Sequence, residues 1–135
     1  AEAAPVSEAE KQEYQQAYDA LRNGKTDDSI SKFNAFIANH PDSAYASNAK
    51  YWLGEAFRVN MNNAEAKKAF ADVAQVYPKS AKVPDALFKL GMIEAEENNP
   101  AKAKEYYSRI VTEFPTSRAA GLAQKKLQTL DGATH

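Results

Sequence analysis

The chain contains no cysteine, which excludes disulfides and every cysteine-based zinc site. That absence suits an oxidising compartment, where a stray thiol is a liability. Histidine is almost as scarce: His40 and His135 lie far apart, so no two-histidine metal site is expected. Only 5 glycines and 6 prolines occur in 135 residues, which argues against a glycine-rich sandwich or barrel. The glycines are isolated, so no phosphate-cradling loop exists, and no Gly-x-Ser-x-Gly elbow offers a nucleophile. Neither sign of charge dominates: Lys+Arg 17 against Asp+Glu 18 leaves a net charge of −1, whereas a nucleic-acid binder needs a basic surplus for its phosphate contacts. No apolar run approaches the ~18 residues of a membrane span.

What is present is a hydrophobic fraction of 44% with 26% charged residues and abundant alanine, a composition that buries a core and favours helices. The sequence also repeats itself. His40-Pro41-Asp42-Ser43, Tyr77-Pro78-Lys79-Ser80 and Phe114-Pro115-Thr116-Ser117 recur with their prolines 37 residues apart. The same shift aligns Ala17, Gly54 and Gly91; Tyr14, Tyr51 and Phe88; Ser29, Ala66 and Ala103; Phe33, Phe70 and Tyr107; and Phe36, Val73 and Ile110. A fixed period of this length is the signature of stacked repeats.

Each repeat reads as two helices. Ala49, Trp52, Leu53, Ala56 and Phe57 mark one face of a first helix, and Ala66, Ala69, Phe70, Val73 and Tyr77 one face of a second. The periodicity and breakers predict helices over Ser7–Asn23, Thr26–Asn39, Ser43–Asn60, Asn63–Tyr77, Ser80–Asn98, Pro100–Phe114 and Ser117–Leu130, with Ser80 as an N-cap. Short links make neighbours antiparallel. Residues 1–6 read as a linker, 7–130 as the repeat domain and 131–135 as a flexible tail. The start at Ala1 reads as that of a mature or excised segment. Gly54 and Gly91 are expected at close helix crossings, and Gly121 is expected to tolerate a larger side chain.

Small residues at 54/66 and 91/103, aromatic landmarks and helix-ending prolines resemble the tetratricopeptide repeat. The fold expected is all-α: a right-handed α-solenoid of three tetratricopeptide-like helix pairs (period 37) plus a C-terminal capping helix, Ser117–Leu130. The phrases Asn48-Ala49-Lys50-Tyr51-Trp52-Leu53-Gly54-Glu55, Phe36-Ile37…Pro41-Asp42-Ser43 and Ala86-Leu87-Phe88-Lys89-Leu90-Gly91 resemble the C-terminal domain of the YbgF/CpoB family, over about Gln12 to Leu130. The resemblance implies a periplasmic, non-catalytic protein-binding module of the Tol-Pal system. It implies contact with TolA and a role coordinating outer-membrane constriction with septal peptidoglycan synthesis in cell division, with the peptidoglycan synthase machinery as a further partner. It also implies an N-terminal coiled coil that makes the full-length protein a homotrimer. This segment without it is expected to be mainly monomeric. Solenoid lipoproteins of outer-membrane protein assembly provide the alternative resemblance, and a lipidated cysteine upstream of Ala1 would favour it.

In such an array the first helices line a concave groove. The groove candidates are Tyr14, Tyr18, Tyr51, Trp52, Glu55, Arg58, Phe88 and Met92, an aromatic set that suits a peptide with apolar anchors. Some chaperone-binding tetratricopeptide domains grip a peptide carboxylate with Lys, Asn and Arg in these columns. Here Tyr51, Glu55, Phe88 and Met92 hold the matching places, which argues against a heat-shock cochaperone role. The carboxylates Asp27, Asp28, Glu94, Glu96 and Glu97 read as solvated surface. No catalytic residues, metal ligands or cofactors are expected, nor any nucleic-acid partner.

Overall fold

The structure, a computed structural model, describes residues 6–133. Ala1–Pro5 of the expected linker and Thr134–His135 of the expected tail lie outside the described residues. Seven helices account for the described regular structure: α1 Glu8–Arg22, α2 Thr26–Asn39, α3 Ala46–Val59, α4 Asn63–Val76, α5 Val83–Glu96, α6 Pro100–Glu113 and α7 Arg118–Ala133. Their contacts divide the chain into two compact units, the first reaching Val73 and the second beginning at Ala74, with α4 crossing the division.

Ser7 caps α1, its hydroxyl accepting from the Glu10 N–H at 3.1 Å. Asp27 and Asp28 stand in the first turn of α2, where negative charge complements the helix dipole.

Two helices begin three residues later than the spacing predicts, α3 at Ala46 instead of Ser43 and α5 at Val83 instead of Ser80. The serine builds a turn ahead of the helix: its hydroxyl accepts from the N–H two residues on, and its carbonyl accepts the N–H of the first helical residue. Ser80 therefore caps this turn and not α5. Ser117, with α7 starting at the next residue, does accept from Ala120 N–H, three residues on. At the other end, α7 continues to Ala133, so Asp131–Ala133 are its last turn and not tail. The Lys104–Asp131 ion pair at 2.6 Å links that turn to α6.

Each first helix of a pair ends in one way. Gly24, Met61 and Asn98 adopt positive φ of 79°, 60° and 64°. The residue after each donates back five positions, Lys25 to Ala20, Asn62 to Phe57 and Asn99 to Glu94, at 2.8–2.9 Å, which is the Schellman closure. A left-handed backbone costs a residue with a side chain about 1–2 kcal/mol, so the second turn is strained and the first is not.

In the first unit Ala17, Phe33, Phe36, Ala49, Leu53 and Ala69 form the buried core. Phe70 is fully buried, its ring against Gly54: a Cβ there would lie 2.7 Å from Phe70 Cε1. In the second unit Tyr107, 1% exposed, covers Gly91 in the same manner, at 2.5 Å from a Cβ. Gly121 on α7 faces open space. The close crossings expected at Gly54 and Gly91 are therefore contacts with a ring.

Two predictions follow from these backbones. Met61→Gly should stabilise by about 0.5–1 kcal/mol by relieving the left-handed strain, and Gly24→Ala should destabilise by about 1 kcal/mol, in urea unfolding followed by circular dichroism. Alanine gains about 1 kcal/mol of helix propensity over glycine. Gly121→Ala should show that gain in melting temperature, whereas Gly91→Ala should melt lower than the parent because the buried Tyr107 ring must move, at about 1–3 kcal/mol.

Candidate protein-binding surface

Of the eight residues predicted to bind, Tyr14, Tyr18, Tyr51, Trp52, Glu55 and Arg58 fall in the first unit, Phe88 and Met92 in the second. In the first unit α1 and α3 carry them side by side. Tyr14 meets Phe33 and Phe36 at centroid distances of 6.2 and 5.9 Å and Tyr45 at 4.9 Å. Tyr51 is buried, edge-on to Phe70 at 5.5 Å. It fills the space inside its own helix pair and presents no ring to a partner, a correction to the groove assignment. The reason is geometric: Gly54, one turn on, admits the Phe70 ring, and Tyr51 packs against that ring.

The accessible part of the cluster centres on Tyr18 and Trp52, half-buried and edge-on at 5.1 Å. Arg22 lies over the Tyr18 ring at 5.7 Å, a cation–π geometry. Glu55 and Arg58, also half-buried, follow on the same helix. Burial pushes the Tyr14 phenol above its ordinary range, while a hydrogen bond with Trp52 works the other way; indole can only donate, so the Tyr14 oxygen accepts. Arg22 and Tyr45 are members of this cluster that the column pattern missed. Tyr45 sits in the link before α3, outside any helical periodicity, and Arg22 stands beside the aligned column of Leu21 and Arg58.

In the second unit Phe88 is half-buried against Tyr107 at 5.5 Å. Met92 opens instead into a cleft of about 210 Å³ lined by Ala95, Glu96, Tyr107, Lys126, Thr129 and Leu130. Its walls are apolar, with one carboxylate and one ammonium among the lining groups, and its volume is below the ~300 Å³ at which drug-sized ligand sites begin. It suits one apolar side chain. Lys126 and Leu130, four residues apart on one face of α7, belong to the expected capping helix and lie outside the columns of groove candidates.

The carboxylates are not all surface. Glu94 is 3% exposed and accepts from Asn99 Nδ2 at 3.2 Å, which holds the α5–α6 turn. Glu13 and His40, 2.8 Å apart, tie α1 to the end of α2. Among the described residues no cluster of His, Cys, Asp or Glu could hold a metal ion, and no helix is long and apolar enough to cross a membrane.

Paired helices closed by left-handed turns, with a ring of each second helix seated on a small residue of the first, define an all-α protein of the tetratricopeptide solenoid class. Solved structures show the same fold at low identity. The type III secretion chaperone SycD of Yersinia enterocolitica, in complex with a peptide of the translocator YopD, superposes with a TM-score of 0.80 at 16% identity, covering 96% of this chain and 98% of that one. The first TPR of Spaghetti (RPAP3), bound to an HSP90 peptide, gives 0.72 at 15%, covering 96% and 95%. MamA gives 0.65 at 20%, covering 90% and 71%.

The family model YfiO, outer membrane lipoprotein, matches residues 7–133, and the chain belongs to that family. It is also 46% identical over 46 residues to the cell division coordinator CpoB of Pseudomonas putida, a stretch that is 34% of this chain and 17% of that protein. This chain thus matches about a sixth of the length of that relative. Together these findings support the tetratricopeptide domain of the CpoB family that the Tyr-Trp-Leu-Gly phrase resembles.

Tyr14→Phe should lower stability by about 0.5–1.5 kcal/mol, since it removes the oxygen to which the Trp52 indole donates. Trp52 is the one tryptophan of the chain, so its fluorescence during urea unfolding reads this loss directly.

Proposed function

We propose that this chain is a non-catalytic interaction module of the Tol-Pal system in the periplasm. It binds a segment of TolA or a TolA-like protein on the exposed faces of its first helices and helps coordinate outer-membrane constriction with septal peptidoglycan synthesis. The observation that carries this reading is the 46% identity over 46 residues to a protein named cell division coordinator. Peptide-bound tetratricopeptide neighbours support recognition of a peptide segment by this fold. Tyr18 and Trp52, with Glu55 and Arg58 beside them, are the anchors in the first unit; Phe88 and Met92 are those of the second. A rigid helical scaffold holds these side chains in place, so little order is lost on binding. In the full-length protein a coiled coil gathers three copies, and the domain by itself is mainly monomeric.

The family description favours a second reading, that of a structural solenoid of outer-membrane protein assembly resembling its lipoproteins. Calorimetric titration with purified TolA separates the two. Binding that Tyr18→Ala/Met92→Ala weakens by about thirty-fold or more, as expected of desolvated anchors, supports the first reading. Lys68→Ala/Lys102→Ala, on exposed parts of second helices, should leave it unchanged, with circular dichroism checking that all variants keep their helices. No heat with TolA, together with capture of outer-membrane assembly proteins, selects the second reading.

A further inference from the structure

The three turns closing α1, α3 and α5 share one backbone but not one chemistry. Asn23, the residue before the left-handed position in the first, is exposed, and its carboxamide takes no hydrogen bond among the described residues. The next residue is Gly24, where nothing lies within 4 Å of the place a Cβ would occupy. In the second turn the matching asparagine, Asn60, donates its amide to Asp27 Oδ1 at 2.8 Å, and Met61 follows it. In the third the matching residue is Glu97, which has no carboxamide.

We infer that Asn23–Gly24 is a spontaneous modification site at which the chain converts an amide to an acid. The Gly24 backbone nitrogen attacks Cγ of Asn23. A nitrogen–carbon bond forms, the carbon–nitrogen bond of the carboxamide breaks, and ammonia leaves. Water then opens the resulting five-membered imide at one carbonyl or the other, giving aspartate or isoaspartate. Water is the sole co-reactant. Glycine leaves the attacking nitrogen unshielded, and the free carboxamide can rotate toward it. What holds the site in check is the cap: Gly24 N–H donates to Leu21 O at 3.2 Å and Lys25 N–H to Ala20 O at 2.8 Å, so attack waits for the turn to open.

The product alters the turn that joins α1 to α2. A carboxylate appears at the negative end of the α1 dipole, one turn beyond Asp19 and just ahead of Asp27 and Asp28. Isoaspartate also lengthens the main chain by one carbon, which is incompatible with keeping both cap hydrogen bonds.

The test holds the intact chain in mildly alkaline buffer at growth temperature, with peptide mapping by mass spectrometry and enzymatic isoaspartate labelling. The Asn23 peptide should gain acid and isoaspartate first, several-fold faster than the Asn60 peptide. Gly24→Ala should slow the conversion even though it weakens the cap, and Met61→Gly should speed it at Asn60. Three results would overturn the inference: Asn23 stays amide while the urea-unfolded chain converts, acid accumulates evenly over all asparagines, or Gly24→Ala converts as fast as the parent.

Discussion

Within each unit the helix pairing depends on a ring lying against a residue without a side chain. Phe70 on Gly54 and Tyr107 on Gly91 leave no room for even a methyl group, so the two helices of the pair approach until ring meets backbone. The first pair solves the same problem with Ala17 and Phe33, both fully buried. Once the ring is seated, other features follow. Tyr51 packs edge-on and Phe88 tilted against it, and Ala66 and Ala103 are buried one turn before it on the second helix. Packing of this density tolerates little change in volume, which explains why small and aromatic residues keep step along the sequence.

The fold was legible because that contact leaves three signals in the chain at once: a small residue, a ring and a helix-ending proline at fixed spacing. The start of α3 and α5 was less legible. A serine after proline can cap a helix or begin a turn, and the extra residues of the link between Pro41 and Ala46 decide for the turn only once their hydrogen bonds are known. The binding surface was least legible. A column of aromatic residues reads alike whether its rings face outward or inward. In Tyr51 the ring goes inward because Gly54 draws Phe70 toward it; in Tyr18 it stays accessible, lying against the half-buried Trp52 of the neighbouring first helix. Glu94 shows the converse: its acidic neighbours suggested solvent, and Asn99 brings it inside.

Both end helices turn polar where the inner ones are apolar. Gln12, Gln15, Gln16 and Asp19 on α1 stand one period before Ala49, Trp52, Leu53 and Ala56. Lys125 and Gln128 on α7 stand one period after Phe88 and Gly91. At these positions, residues that bury a neighbouring helix elsewhere are replaced by residues that water can cover.

The ring-on-glycine contact also bears on how the chain acquires its structure. Gly54 and Phe70, and likewise Gly91 and Tyr107, are separated by less than half a repeat, and the turns that join them close over five residues. Contacts this short in sequence need little loop closure, which is the condition for fast folding. A helix pair can assemble as soon as its own residues are available, without waiting for distant segments. A polypeptide that emerges end first, from a ribosome or through a membrane pore, can therefore become ordered in the direction in which it emerges.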